Sequence, residues 1–332
     1  MRLLKVELKR FWARRLTWVA FLGLLAIMIV SAVGTFFSLA PPSDEQLRAD
    51  VASYQEYYDD WEANGQEWYQ QCVADEAAER EANGGESIGD WGCESYLEAP
   101  ERGDWIWTYP PFSDEAERGV EGYGTLLGFV ALIVGASFFA AEMATGAISN
   151  WLTFEPRRTR VYFSKIGAAA LGIVPIAVAA LALSVAGMWA VYAARDLLGS
   201  PDADLWRAVA LASVRIALLM IATAVAGAAL GALTRHTAAV IGIAVDWVVV
   251  DQMVFYGIFP RFMQWSGMIN MDAWIKGGTT YWKDVCTVGA DGRTCTSVET
   301  ALSMTHGGVY LGVLTALVVV VGLLVFRRRD VA

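Results

Sequence analysis

The chain has 332 residues, of which 56% are hydrophobic and only 18% are charged, and its formal net charge is −10. Soluble domains carry about 25% charged residues, whereas here the apolar residues gather in uncharged stretches long enough to cross ~30 Å of hydrocarbon as helices. We therefore expect a polytopic membrane protein. A soluble enzyme, a nucleic-acid reader and a disordered chain are excluded as descriptions of the whole sequence.

Residues 1–16 are predicted to form a basic amphipathic helix. Leu4, Leu8, Phe11 and Trp12 share one helical face, and lysines and arginines fill the rest of the surface. Such a helix lies in the membrane interface and is attracted to anionic lipid. A simple orientation anchor would show the same pattern, so the pattern alone does not define a role.

Six membrane spans are predicted, and each is a helix because backbone groups in lipid must hydrogen-bond within their own segment. In chain order they cover residues 17–40, 123–141, 166–194, 208–234, 237–260 and 307–326. Only Arg235 and His236 separate the fourth and fifth spans, which predicts a tight helical hairpin. Small residues at every fourth position of the fourth span, Ala224, Ala228 and Ala232, predict close packing against another helix.

The distribution of lysine and arginine orients these spans. Alternation places residues 1–16, 142–165, 235–236 and 327–332 on one side of the membrane, where they carry 14 Lys/Arg. The longer segments on the other side carry 10. We therefore expect cytoplasmic termini and large extracellular loops.

The longest segment outside the spans, residues 41–122, is strongly acidic, with 21 Asp/Glu against 4 Lys/Arg up to Gly119. Ser43 and Gln46 fit a capping box at a helix start, after which apolar residues recur at helical spacing, namely Leu47, Val51, Tyr54, Tyr58 and Trp61. Five tryptophans in the segment argue against disorder. We expect a folded extracellular cap whose charge is either a solvated surface or an electrostatic collector for a cationic substrate or partner.

All four cysteines fall on the predicted outer side, where disulfides persist. Four cysteines allow three connectivities, and proximity in sequence favours the pairs Cys72–Cys93 and Cys286–Cys295. Residues 261–306 are expected to contain short aromatic-rich helices at the outer leaflet and then a hairpin closed by the second pair. The two histidines of the chain fall on opposite sides, so no metal site is expected.

Residues 142–165 are the most informative of the predicted cytoplasmic segments. Ile148, Trp151 and Leu152 make a short apolar face at helical spacing before Pro156 ends the helix. A short amphipathic helix of this kind suits docking into a groove on another protein.

The order of residues in this segment, together with the basic N-terminal helix, the six spans and the basic C-terminal end, resembles the ABC-2 permease family. The matching positions are Glu142, Gly146, Leu152, Pro156, Arg160 and Lys165. The resemblance covers most of the chain but not the acidic cap. It implies a permease subunit of an ABC exporter, which moves an amphipathic substrate such as a drug, a peptide or a lipid-like molecule outward.

The resemblance also implies partners. The permease would pair with a second permease chain, the same or a sister, and with two ATPase subunits. The residues implied in coupling to the ATPase are Glu142, Gly146, Trp151, Leu152, Pro156, Arg157 and Arg160. No G-x-x-x-x-G-K-[ST] phosphate loop occurs in the chain, so ATP and Mg²⁺ are expected to bind to a separate ATPase and this chain is expected to be neither an enzyme nor a cofactor-binding protein.

The alternative function is a non-transport membrane sensor or scaffold whose acidic cap binds a partner. In either case we expect contacts with membrane lipids and none with nucleic acid. The excess of arginine (20) over lysine (5) and the alanine content suggest the plasma membrane of a high-GC bacterium.

Three charged residues fall within the predicted spans: Arg215, Asp246 and Asp251. A charge inside a span costs roughly 2.5–3.5 kcal/mol on insertion scales and usually faces a bundle interior or a water-filled cavity. Arg215 and Asp251 lie at similar depths and are predicted either to form a structural salt bridge or to line a substrate path. Asp246 has no evident basic partner and is the leading candidate for the path, while a catalytic aspartate pair is disfavoured because the two side chains point about 140° apart on one helix.

Overall fold

A computed structural model of the chain describes residues 2–82, 90–105, 109–289 and 292–328. Its contacts divide the chain into two compact units. One unit, called the body here, comprises Met1–Phe36 and Pro111–Ala332, and the other, called the insertion, comprises Phe37–Pro110.

Helices dominate both units. In chain order they are α1 (Arg2–Ala13), α2 (Arg15–Ser38), α3 (Asp44–Ala82), α4 (Arg102–Trp105), α5 (Phe112–Ala144), α6 (Ala147–Phe154), α7 (Arg158–Ala194), α8 (Ala203–Thr234), α9 (Thr237–Asp251), α10 (Gly267–Lys276) and α11 (Met304–Arg328). Within the described residues, six helices are long and apolar enough to cross a membrane, namely α2, α5, α7, α8, α11, and α9 with its continuation to Ile258. The predicted all-α polytopic fold with six spans is confirmed.

The second spanning helix begins well before the predicted start of the second span. The sequence predicts a start at residue 123, whereas α5 begins at Phe112. The Phe112 ring is fully buried and contacts the rings of Tyr192 and Trp206, each at a centroid separation of 5.9 Å. The first turns of α5 carry polar side chains, so their sequence does not resemble a membrane span. The insertion ends at Pro110, whereas the sequence predicts a cap that extends to residue 122.

The centre of the body is a close contact between α5 and α8. A Cβ atom on Gly227 of α8 would overlap the carbonyl oxygen of Leu132, and one on Gly135 of α5 would overlap that of Ala224. Helices in lipid gain little from hydrophobic association, so they associate through van der Waals packing that small residues permit. The small-residue run predicted in the fourth span accordingly lies against α5.

In the insertion, α3 starts with the predicted capping box. The Ser43 amide donates to Oε1 of Gln46 (3.0 Å), and the Gln46 amide donates to Oγ of Ser43 (3.2 Å). Asp44 and Glu45 in the first turn also favour the positive end of the helix dipole. The helix then runs for 39 residues.

A short segment that follows α3, residues 91–97 and called the return segment here, is bonded to α3 at two points. Cys72 forms the predicted disulfide with Cys93, and the indole N–H of Trp61 donates to the carbonyl oxygen of Tyr96 (2.9 Å). Buried Gly65 makes room for this approach, since a Cβ there would lie 3.3 Å from the same carbonyl oxygen. The fold predicted for the acidic segment thus exists as a disulfide-closed helical unit.

After the fifth span, α10 precedes an antiparallel hairpin of β1 (Gly278–Gly289) and β2 (Gly292–Ser303). Cys286 lies directly opposite Cys295 in the register and forms the second predicted disulfide. A small core holds this region together and consists of Met263, Ile269, Ala273, Tyr281 and Leu302. The hairpin is longer than the turn between the cysteines suggested, because its strands extend back to α10 and forward to α11.

We predict that Gly227→Ala lowers the thermal denaturation midpoint of the detergent-solubilised chain. The added methyl group would push α5 away from α8, and overpacking of this kind costs about 1–3 kcal/mol. Gly242→Ala in α9 is the matched control, because its Cβ would meet open space. An equal midpoint for Gly227→Ala and the control would show that the α5–α8 contact is not this close.

Candidate functional site

The N-terminal helix α1 packs into the body. Phe11 is fully buried. Its ring lies over Gly172 of α7, where a Cβ would collide with it, and contacts the Phe138 ring at 5.4 Å. Lys5 and Lys9 remain exposed. The apolar face that predicted an interfacial helix is therefore used, at least at Phe11, to dock α1 onto α5 and α7 rather than to enter lipid.

Beneath α1, one lysine joins three helices. Lys165 of α7 is completely buried, and its Nζ lies 2.9 Å from Oε2 of Glu7 in α1 and 2.5 Å from Oε2 of Glu142 in α5. A buried charge is tolerated only when it is paired and hydrogen-bonded. We call Glu7, Glu142 and Lys165 the buried ion cluster.

Two further cations lie near this cluster, Arg10 in α1 and Arg14 directly after α1. Arg10 Nη1 lies 3.6 Å from Glu142 Oε2 and 3.9 Å from Glu7 Oε1, so each carboxylate is near a second cation. The Arg14 guanidinium donates to the Ser137 carbonyl oxygen. Burial lowers the pKa of Arg14, while Glu142 and Glu7 oppose that shift, and arginine remains charged because its ordinary pKa is above 12.

The segment that follows Glu142 turns sharply. α5 ends at Ala144, Gly146 adopts a φ of 67°, and α6 then runs from Ala147 to Phe154. A positive φ favours glycine because a side chain is strained in that conformation. Pro156 follows α6 before α7 begins, so the predicted short helix and its break are both present.

Burial divides the side chains of this segment into those that face the interior of the chain and those that face its surface. Glu142 is 7% exposed and is held by Lys165, and Ile148 is fully buried. Glu142 therefore links α5 to α7 inside the chain, and its predicted part in coupling to the ATPase stays a prediction. The side chains of Trp151 and Leu152 lie outside the described part of the structure.

What the segment does expose is a small apolar and basic surface. Phe154 is 86% exposed, Arg157 is exposed, and Arg160 is exposed although it pairs with Glu155 at 3.1 Å. We call Phe154, Pro156, Arg157 and Arg160 the exposed patch. An exposed aromatic side chain surrounded by cations is typical of a surface that another protein covers.

Further contacts tie the start of α7 to the end of α11. The Arg158 guanidinium donates to the carbonyl oxygens of Phe326 (3.5 Å) and Arg327 (3.4 Å), at the negative end of the α11 dipole. The Tyr162 hydroxyl donates to the Val319 carbonyl oxygen (2.8 Å). The first turns of α7, which follow Arg157 of the exposed patch, are thus joined to α11 through Arg158 and Tyr162.

The predicted pair of Arg215 and Asp251 is wrong. Arg215 instead lies beside α5, where its Nη2 is 3.4 Å from Oε1 of Glu121 and 3.6 Å from Oε1 of Glu117. These carboxylates lie in the first turns of α5, which the sequence predicts as part of the extracellular cap, residues 41–122, rather than of a span.

Asp251 has a structural role at the end of the fifth span. It is 3% exposed and accepts hydrogen bonds from the Ser266 hydroxyl (2.6 Å) and the Gly267 amide (2.6 Å). The Met268 amide lies 3.4 Å from the same carboxylate. Asp251 therefore helps to cap the N-terminus of α10.

Asp246 is placed differently from Asp251. Of the residues of α9, only Val240 and Asp251 are buried, and Asp246 is exposed in the isolated chain. A carboxylate in the middle of a spanning helix is costly in lipid, so such groups face protein or a water-filled cavity. The α9 face that carries Asp246 is therefore expected to contact protein or water rather than lipid.

Sequence analysis missed Glu7. It is the only acidic residue in α1 and lies four positions before the buried Phe11, which places both on one face of the helix. That placement is the available signal, because a carboxylate on the apolar face of a helix needs a polar or charged partner when that face is buried. Lys165 appeared in the family pattern but without a role.

We predict that Lys165→Met strongly destabilises the body, because it leaves two buried carboxylates facing each other. Removing one partner of a buried ion pair costs about 3–5 kcal/mol. Arg160→Met is the matched control, since its pair with Glu155 is solvent-exposed and such pairs contribute at most about 1 kcal/mol.

The measurement is the thermal denaturation midpoint in detergent, together with the rate at which protease cleaves within α1. Lys165→Met should lower the midpoint and expose α1 to cleavage, while Arg160→Met should do neither. If the two variants behave alike, the ion cluster does not hold α1 in place.

Comparison with known families agrees with this architecture. A family model described as ABC-2 family transporter protein matches residues 1–331. Comparison with curated proteins and with solved structures finds no match. The family match covers nearly the whole chain, including the six candidate spans, the buried ion cluster and the exposed patch. The chain therefore belongs to the ABC-2 transporter family and is a membrane permease of an ABC transporter.

Proposed function

We propose that the chain is the permease subunit of an exporter and that two ATPase subunits drive it through the exposed patch. The observation that carries this proposal is the linkage between the patch and the buried ion cluster. The patch residue Arg157 directly precedes α7, and Arg160 lies in its first turn. Lys165 lies farther along the same helix and forms ion pairs with α1 and α5. A displacement of the patch is therefore transmitted directly to spanning helices.

The transmission is a rigid-body movement, as expected for a transporter that alternates between two states. A packed interior does not deform continuously, so helices joined by buried contacts move together. ATP-driven closure of the ATPase pair would push on Phe154 and Arg157, and α5, α7 and α11 would follow. The cargo is an amphipathic molecule, and its movement is outward.

A second permease chain, the same or a sister, completes the assembly. The exposed Asp246 supports this part of the proposal, because a second chain or a path between two chains would keep the carboxylate away from lipid. Asp246 then borders the route of the cargo. Asp251 and Arg215 have partners inside the chain, so this part of the proposal rests on Asp246 alone.

The orientation follows from the distribution of charge and cysteine. The segments that contain α1, the exposed patch and the end of α11 carry 14 Lys/Arg in short stretches. The disulfides lie in the insertion and the hairpin, on the opposite side by alternation of the spans. The termini are therefore cytoplasmic, and both disulfides face the oxidising exterior of a plasma membrane.

We predict that the tagged chain, purified from its native membrane in mild detergent, carries an ATPase and hydrolyses ATP. Phe154→Asp or Arg157→Glu should remove both the ATPase and the activity, because each places a negative charge on the contact surface. Arg207→Glu near the start of α8 is the matched control, since Arg207 is exposed and lies on the opposite side by alternation.

Two results would contradict this prediction. A wild-type chain that purifies without any ATPase would favour a sensor or scaffold. A Phe154→Asp chain that keeps its ATPase would place the contact elsewhere on the surface.

We predict that Asp246→Asn impairs export but leaves assembly intact. The change removes the charge at the proposed path and disturbs no described contact inside the chain. The measurement is accumulation of a panel of amphipathic dyes in expressing cells, with copurified ATPase as the assembly readout and Asp204→Asn as the control outside the membrane. Dye export at the wild-type level by Asp246→Asn would remove Asp246 from the path.

A further inference from the structure

The insertion contains a cavity of about 470 Å³ whose walls are largely aromatic. Its lining includes Tyr57, Trp68, Asp75, Trp91 and Tyr96. The first three lie on α3 and the last two on the return segment. All belong to the insertion, so the cavity exists within one compact unit.

The helical wall is built by spacing along one face of α3. Asp75 follows Trp68 by seven residues, which is two helical turns, so both side chains lie on the same face. Tyr57 precedes Trp68 by three turns, and their ring centroids are 6.1 Å apart. The face therefore presents two aromatic rings and a carboxylate in a row.

The second wall is held in position by covalent and hydrogen bonds. Cys93 lies between Trp91 and Tyr96 in the return segment and forms a disulfide with Cys72 of α3. The Tyr96 carbonyl oxygen accepts a hydrogen bond from the Trp61 indole. The rings of Trp68 and Tyr96 meet at 68° with centroids 6.4 Å apart, which makes a corner rather than a stack.

These rings are not simply a hydrophobic core. Trp91 is 46% exposed and Tyr96 is 39% exposed, although a core would cover such large apolar groups. Asp75 is exposed as well, and among the described residues no cation lies within ion-pair distance of it. Its neighbour Glu76, by contrast, pairs with Arg80 at 2.6 Å.

Rings that meet at an angle beside an unpaired carboxylate are suited to one class of ligand. The faces of Trp and Tyr attract cations through the ring quadrupole, and aromatic cages recognise quaternary ammonium groups in this way. The insertion carries 18 Asp/Glu against 3 Lys/Arg, so its field concentrates cations near the cavity.

We propose that this cavity is a binding site for a small organic cation bearing an alkylated ammonium group. The cation sits against Trp68 and Tyr96, and Asp75 neutralises its charge. Trp91 covers the opening. This site is separate from the exposed patch and requires no ATPase, so it goes beyond the permease function and stands or falls independently.

The test is isothermal titration of the full chain in lipid nanodiscs with choline at constant ionic strength. The neutral probe 3,3-dimethylbutanol has the shape of choline without its charge and distinguishes a cation site from an apolar groove. We expect saturable one-site binding of choline and none of the alcohol.

Matched variants assign the binding to the cavity. Trp68→Ala should weaken choline binding about tenfold, the loss expected for one well-placed cation–π contact, and Asp75→Asn should weaken it similarly. Glu67→Gln removes an exposed carboxylate from the same helix outside the cavity lining and should leave affinity unchanged. An absence of free thiol in each variant verifies that the Cys72–Cys93 disulfide, and with it the return segment, is intact.

Three outcomes would overturn the proposal. Equal binding of the alcohol would mean an apolar groove, and wild-type binding by both cavity variants would mean general attraction of cations to an acidic surface. An absence of choline binding would exclude the site outright. None of these results affects ATPase association through the exposed patch, so failure here is distinguishable from failure of the permease function.

Discussion

The ammonium group of Lys165 is fully removed from solvent, and that single fact constrains much of the body. An isolated buried charge costs several kcal/mol, so the group must have anionic partners. Glu7 and Glu142 provide them from two other helices. Their geometry requires α1 to dock beside the junction of α5 and α7, which in turn buries Phe11 and fixes where the polypeptide turns toward the exposed patch.

The same constraint explains why the exposed patch is suited to transmit force. The patch continues into the start of α7, where ionic and hydrogen bonds lead to α1, α5 and α11. The close α5–α8 contact at Gly227 adds α8 as a fifth helix to the connected set of α1, α5, α7 and α11. A displacement of the exposed patch would thereby change the arrangement of the spanning helices.

Much of the architecture could be predicted from the sequence because its signals are local. Apolar runs of about 20 residues identify the spans, the Ser43–Gln46 pattern identifies the start of α3, and nearest-neighbour pairing identifies both disulfides. The site was less accessible because its contacts are distant in sequence. Glu7 and Lys165 are 158 positions apart, and nothing in the local pattern of either specifies the other.

The errors have similar physical causes. The predicted pair of Arg215 and Asp251 rests on depth alone, whereas in the structure hydrogen-bond donors at the start of α10 satisfy Asp251. The acidic first turns of α5 looked like a soluble loop, yet Phe112 anchors them in the body. In both cases tertiary contacts, which local sequence does not reveal, decide the structure near the end of a span.

The buried ion cluster should make α1 and the start of α7 move as one body. The four native cysteines are in disulfides, so spin labels can be attached at Lys5→Cys and Thr159→Cys, two exposed positions. The distance between the labels should be measured in the ATPase-bound transporter with and without trapped ATP. If the ion cluster joins the two helices, the label-to-label distance should be narrow and equal in both states, and Lys165→Met should broaden it. A distance that changes with nucleotide would contradict movement as one body.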